Sequence, residues 1–363
     1  MGRSFPLLLF LCFAALLYGG EELSALYLSW YDDPTTTMTI QWHTPLEDQS
    51  DEIFLETPDG SSHSYRGTHT PFPNEPLLIH TVHLKNLTPD AQYRFRIDGH
   101  PETHSFQTAP ATLDTPLRFV IGGDLYHSKR LFRKMSQTVA RLNPLFVVLG
   151  GDIAYAISKH PLIFTNPSRQ WRQFLADWQE YLRTPDGRLI PFLILPGNHD
   201  IAPDFYELFF ALFAFPHKEL YRALDFGSYL SLILLDTGHF QPITGRQTLW
   251  LGKALADRTH LPYLFAIYHI GAYPAFYSYN GSTPKTIRTH WCPLFDQYRV
   301  QACFEHHGHA YKKTYPLKGN QRDPSGTLYF GDGCWGALPR RTHSAWYLDK
   351  RSKKNNIYLV ELK

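Results

Sequence analysis

Five times along this chain a short polar cluster follows directly on an apolar run, and that rhythm restricts the fold more than any other feature. The clusters are Gly-Gly-Asp124, Gly-Asp152-Ile-Ala-Tyr155, Gly-Asn198-His199-Asp200, Tyr-His269 and His307-Gly-His309-Ala-Tyr. The preceding runs fall at 117–121, 145–149, 190–195, 263–268 and 300–304. Apolar runs of that length, buried on both faces, are how central strands of a layered α/β sheet read. Loops at one end of such strands converge on a site. A single Asp after a strand is commonplace and often only caps a helix. Two Asp, an Asn and three His in succession, all just after strands, instead supply the oxygen and nitrogen donors of a metal centre.

Residues 24–110 follow a different grammar. Apolar and polar residues alternate, as in Thr37-Met-Thr-Ile-Gln-Trp42 and Ile79-His-Thr-Val-His-Leu84, with turn signals such as Pro58-Asp-Gly60 between runs. Short, regular, β-branched runs of this kind predict an all-β sandwich, with Trp30 and Trp42 in its core rather than serving as carbohydrate platforms. The segment 109–116, with two prolines and no periodicity, is the linker. Beyond it strands alternate with helical patterns. Residues 170–182 place Trp171, Phe174, Leu175, Trp178 and Leu182 on one stripe, and residues 245–255 form a second helix. The expected organisation is an export signal at 1–20, a β-sandwich at 21–110 and an α/β domain at 116–363.

The export reading rests on Arg3 followed by an apolar stretch at 5–18 and the small pair Gly19-Gly20. That stretch is shorter than the ~20 residues a transmembrane helix needs. Leu11 before Cys12 argues against a lipoprotein site. A secreted or periplasmic chain is expected, with no stable membrane insertion after signal removal. Net charge is only +2, so nothing favours nucleic acid as a partner. The cluster Lys350-Arg351-Ser-Lys353-Lys354 reads as a solvated turn. Removing the signal leaves Cys292, Cys303 and Cys334. Three thiols form at most one disulfide, and their spacing lacks the paired units of a thiolate zinc site.

The order of the polar clusters resembles the metallophosphoesterase superfamily, and Gly-Asp152-Ile-Ala-Tyr155 narrows the resemblance to the purple acid phosphatases. Their motifs are GDxG, GDxxY, GNH(D/E), a strand-ending VxxH, and GHxH. GDxxY and GNHD match in full. The first motif keeps Asp124 but reads Gly-Asp-Leu-Tyr, and the fourth reads Ala-Ile-Tyr-His269. The fifth aligns on FxGHxHxYER, with His306 in place of Gly and Lys312-Lys313 in place of Glu-Arg. Residues 87–96, centred on Tyr93, resemble the tyrosine corner of fibronectin type III domains, which precede the catalytic domain in plant members. Residues 245–255 are similar to the family's GxQxxWL helix. The implied fold is a fibronectin III-like sandwich followed by a four-layer α/β/β/α domain.

The resemblance implies a dinuclear centre. One metal would take Asp124, Asp152, Tyr155 and His309; the other would take Asp152, Asn198, His269 and His307. Asp152 bridges. A phenol ionises near pH 10 in water, so a Tyr155 phenolate at acid or neutral pH calls for a hard trivalent ion, Fe(III). Zinc, manganese or Fe(II) would stand beside it. The implied reaction is in-line attack of a metal-activated hydroxide on a small phosphorylated substrate. His199, next to Asn198, would touch phosphate or protonate the leaving group as the catalytic imidazole. Asp200 either orients His199 or caps the following helix. His127 either ligates or lines the pocket, and His306 either supports the ligands or changes the loop. Plant members carry a His pair about ten residues past the VxxH His; here Ser278-Tyr-Asn-Gly281 stands there. Tyr277, Tyr279 or Asn280 replaces that pair, and Tyr279 and Asn280, with Asn198 and His199, are the expected substrate contacts. The expected activity is that of an acid phosphatase on monoesters. The alternatives are a phosphodiesterase or nucleotide hydrolase using manganese or zinc, and a non-catalytic surface protein binding through its sandwich.

Overall fold

The computed structural model describes residues 23–158, 165–213, 215–331 and 333–363. The expected signal at 1–20 lies outside them. Among the described residues no helix is long and apolar enough to cross a membrane.

Two four-stranded antiparallel sheets make the N-terminal domain. One runs Ala25–Ser29, Met38–Pro45, Leu77–Leu84, Thr68–Pro71, and the other Ser62–Arg66, Glu52–Glu56, Gln92–Ile97, Thr103–Gln107. Strand Gln92–Ile97 alternates exposed and buried residues along its whole length, as a strand with one wet face must. The Tyr93 hydroxyl accepts the Thr88 N–H at 2.7 Å and pins the chain where that strand begins. Trp30 and Trp42 are fully buried.

The second domain is four layers deep. Its smaller sheet orders Phe192–Leu195, Phe146–Gly150, Leu117–Gly122 and Tyr358–Leu362. The larger orders Arg222–Phe226, Leu230–Leu235, Tyr263–Ile270, Ala302–His306, Leu328–Gly331, Tyr311–Thr314 and Leu348–Ser352. Period-two alternation sorts the side chains between layers. Phe146 and Val148 face the large sheet and join Ile267 and Phe304 in a central core. Val147 and Leu149 face outward onto Trp171, Phe174 and Trp178 of helix Pro167–Tyr181. Ile233, Ala266 and Cys303 of the large sheet pack outward on helices Arg246–Ala256, Ser282–His290 and Cys292–Gln297. Both faces of the central strands are therefore buried, which is why they read as unbroken apolar runs.

The two domains share the central core. Trp30 stands edge-on to Phe146 and Phe226, with ring centroids 5.7 and 5.9 Å away. Around it Tyr27 donates to the Leu212 carbonyl, Tyr31 to that of Pro216, and Arg222 to that of Trp30, all at 2.8–2.9 Å. Cys292, Cys303 and Cys334 are buried free thiols, so no disulfide joins them. Lys350 and Arg351 belong to the edge strand Leu348–Ser352 rather than to a turn. Arg351 donates there to Thr342 and Ser344.

Candidate metal centre

The parallel strands of both sheets end on the same side, and their loops are laced together before any ligand is considered. Asp124, Leu125 and Tyr126 donate in turn to the carbonyls of Gly151, Asp152 and Ile153 at 2.9–3.0 Å. The ladder of strands Leu117–Gly122 and Phe146–Gly150 thus continues into their loops. Side chains complete the lacing: the His307 N–H meets Asp124 Oδ2 at 2.9 Å, and the His199 N–H meets Asp152 Oδ1 at 2.8 Å.

Within this frame the structure brings all seven expected donor residues together. His309 Nε2 lies 2.9 Å from Asp124 Oδ1 and 3.1 Å from the Tyr155 hydroxyl, which lies 3.5 Å from Asp124. His269 Nε2 lies 3.4 Å from Asp152 Oδ1 and 3.3 Å from Asn198 Oδ1. Two sets of donor atoms, each within 4.8 Å of one another, comprise Asp124, Asp152 and His309, and Asp152, His269 and His307. Asp152 belongs to both. His269 Nδ1 faces the Gly150 carbonyl at 2.9 Å, so its N–H is engaged there and Nε2 is the ring nitrogen that could bind a metal. His307 Nδ1 is buried with no hydrogen-bond partner among the described residues. Burial beside Asp124 and Asp152 pushes the Tyr155 phenol well above its usual range. Unassisted, it keeps its proton. An orphaned imidazole nitrogen, a shared carboxylate and a phenol needing a strong cation fit a pair of metal ions.

The neighbours of these donors resolve the expectations left open. Asp200 does neither job proposed for it. Its carboxylate accepts the N–H groups of Ile153, Ala154 and Gly197 at 2.8–3.2 Å and holds the Asp152 and Asn198 loops together. His199 is oriented instead by the Ile157 carbonyl, 2.8 Å from Nδ1, and stacks on Tyr155 at 5.0 Å. His127 is exposed and edge-on to Tyr155 at 5.1 Å, lining the mouth. His306 is fully buried between the two sheets. A Cβ at Gly150 would lie 1.9 Å from its Nε2 and one at Gly123 2.6 Å from its Nδ1. The imidazole thus occupies space that two glycines leave, and burial holds its pKa down to about 3.

Tyr279 and Asn280 are not brought to the site. The Tyr279 hydroxyl donates to Asn320 at 2.7 Å, and its ring stacks on Tyr347 under the Arg288 guanidinium; Asn280 is exposed on the turn beyond. Tyr277 is the aromatic that reaches the centre, 5.2 Å from the His307 ring, with its hydroxyl accepting the Gly271 N–H at 2.6 Å. Two further residues border the centre and had no motif to mark them. His239 lies 5.5 Å from His269. Arg340 donates its backbone N–H to the His309 carbonyl at 2.8 Å, and its guanidinium lies over Phe276 at 4.8 Å. Its charge is close enough to act on both Tyr155 and His127.

Residues 117–311 match the calcineurin-like phosphoesterase family and residues 23–108 the purple acid phosphatase N-terminal domain. The chain belongs to the calcineurin-like phosphoesterases, in the two-domain arrangement of the purple acid phosphatases. It is 26% identical over 352 residues to the uncharacterized protein Rv2577 of Mycobacterium tuberculosis, covering 83% of this chain and 64% of that one. It is 28% identical over 292 residues to purple acid phosphatase 23 of Arabidopsis thaliana, covering 70% and 62%. The chain thus spans under two thirds of these relatives' length. In fold it is similar to a purple acid phosphatase from yellow lupin (Lupinus luteus) seeds, with TM-score 0.77 at 18% identity over 93% of this chain and 69% of that one. PhoD shares the fold at TM-score 0.62 and 12% identity, over 85% and 76%.

Proposed function

We propose that this chain is an exported phosphatase hydrolysing small phosphate monoesters below neutral pH. Its centre would hold Fe(III) with zinc, manganese or Fe(II). The observation that carries this reading is the membership of Asp152 in both donor sets, because a shared carboxylate is what holds two ions at the ~3.5–4 Å spacing of two-metal hydrolysis. Asp124, Tyr155 and His309 would complete one ligand set, and Asn198, His269 and His307 the other. The ions would supply Lewis acidity and a nucleophile usable at acid or neutral pH. Tyr155 supports iron in particular, since only a hard, highly charged ion draws the proton from a phenol so buried.

The remaining work falls to the mouth. His199, its Nδ1–H engaged by the Ile157 carbonyl, presents Nε2 to deliver a proton to the leaving oxygen. Arg340 supplies the fixed positive charge that a phosphate needs, in place of the imidazole pair absent from 278–281. A guanidinium binds phosphate through paired N–H groups.

Metal analysis with a visible spectrum tests the proposal. About two ions per chain are expected, with a broad visible phenolate-to-iron band. Asp152→Ala should release metal and abolish hydrolysis while the sandwich stays folded. Tyr155→Phe should remove the band. Full activity of Asp152→Ala would sink the dinuclear reading. A colourless, iron-free, active enzyme would move the chain to phosphoesterases using manganese or zinc, and product analysis on a diester would then identify which.

A further inference from the structure

A second group of metal-ligating side chains lies in the β-sandwich, outside the centre described above. Asp51, His69 and His80 offer three donor atoms within 4.8 Å of one another. The Nδ1 atoms of both imidazoles converge on the Asp51 carboxylate, His69 at 2.9 Å and His80 at 2.7 Å. The His69 spacing equals that of His309 and Asp124 in the centre, 2.9 Å. We propose that Asp51, His69 and His80 form a zinc site that ties the two sheets of the sandwich together.

The backbone places these residues without strain. His69 and His80 are register partners across the antiparallel pair of Thr68–Pro71 and Leu77–Leu84. Asp51 immediately precedes Glu52–Glu56 of the opposite sheet, and its carbonyl accepts the Gly67 N–H at 2.9 Å. Around His80 the surroundings match those of a ligating histidine. Trp42 stacks on its ring at 5.0 Å and 6°, and Nε2 lies 2.6 Å from the buried Thr44 hydroxyl.

Proton bookkeeping closes with a metal in place. His80 carries its proton on Nε2 and donates it to Thr44 Oγ1. Thr44 passes its own hydroxyl proton to the carbonyls of Pro45 and Asp48, at 3.3 and 3.4 Å. His69, with 28% of its side chain exposed, keeps its proton on Nε2 and can hydrogen-bond through it to solvent. Both Nδ1 lone pairs then point at the cation. Two imidazoles and a carboxylate suit zinc, which binds nitrogen and oxygen at ~2.0–2.2 Å in tetrahedral sets. The exposed side of His69 leaves the fourth position to water.

The dinuclear centre also binds metal, so the test is made in its absence. The full-length Asp152→Ala chain and the Asp152→Ala/His69→Ala chain are incubated with zinc, freed of excess and analysed by mass spectrometry of the metal. The proposal expects one more zinc per chain when His69 is present. It also expects zinc to raise the Tm of the first chain more than that of the second. Asp51→Asn, which preserves volume, should reproduce the loss in a wild-type background with hydrolysis within about twofold of the parent. Equal zinc content with and without His69, in chains whose circular dichroism shows them folded, would overturn the site and leave a hydrogen-bonded cluster. The outcome does not depend on which metals the dinuclear centre takes.

Discussion

Asp124, Asp152, Tyr155, His307 and His309 all hold φ between 51° and 71°, a region that side chains with a Cβ avoid at a cost of about 1–3 kcal/mol each. Five donor residues carry that strain together, and the hydrogen bonds that lace their loops hold them in it. These residues were legible in the sequence because each stands just after an apolar run and is of a type that binds metal. Arg340 was not, because nothing in Leu-Pro-Arg-Arg marks which arginine brings its charge within reach of Tyr155 and His127. Tyr277 and Tyr279 lie two apart on a loop, and residue type alone does not say which one meets His307. His199 carries the residue-scale prediction. His199→Ala should leave metal content near that of the parent, because Asn198, not His199, is proposed as the adjacent ligand, and lower turnover by ~10²–10⁴-fold. An aryl ester with an acidic phenol should suffer less than an alkyl ester. Equal losses would make His199 a phosphate-positioning group, and loss of metal would show the ligand map to be wrong.

Strands and loops gain their placement from pairs that the sequence does not put side by side. Lys312 stands where the family motif carries Glu, and the structure shows how that reversal is accommodated. Lys312 and Glu305 form a fully buried ion pair. The Glu305 carboxylate also accepts the Tyr268 hydroxyl and the Ala272 N–H at 2.6 and 2.7 Å, on either side of His269. The pair thus joins strand Tyr311–Thr314 to the strand and loop that present His269. Lys312→Met should destabilise the protein by about 3–5 kcal/mol by leaving a buried carboxylate uncompensated, while Lys312→Met with Glu305→Gln should recover most of that loss. Denaturant unfolding of the three chains decides it. Helix Pro167–Tyr181 was legible within a few residues because its stripe is periodic and Asn166 caps it, accepting the Arg169 N–H at 3.0 Å. The pairing of His69 with His80 was not legible, since a strand's register depends on its partner.

At the scale of the molecule, an enzyme proposed to work in acid carries buried imidazoles that oppose acid. Burial holds His104 down to about 4, against 6.5 in an unfolded chain, and neither ring nitrogen has a hydrogen-bond partner among the described residues. Between those two values the unfolded chain binds the proton and the folded chain does not. Stability is therefore fully present above pH 6.5 and falls as pH drops toward 4. His104→Phe, which keeps the ring against Phe95, should flatten that slope, with a gain approaching roughly 3 kcal/mol near pH 4. Thermal unfolding across pH 4–7 measures it, and an unchanged slope would remove His104 from the acid response. The seating of Trp30 against Phe146 and Phe226 has a different consequence. Because that seating places both domains on one core, the sandwich would serve the proposed enzyme as a fixed plinth rather than a swinging arm. Calorimetry should show one endotherm for the whole chain, and cutting at 109–116 should yield two insoluble halves. A phosphate group set deep in a rigid surface would stay out of reach; one that is free, or protrudes on a flexible stalk, would not.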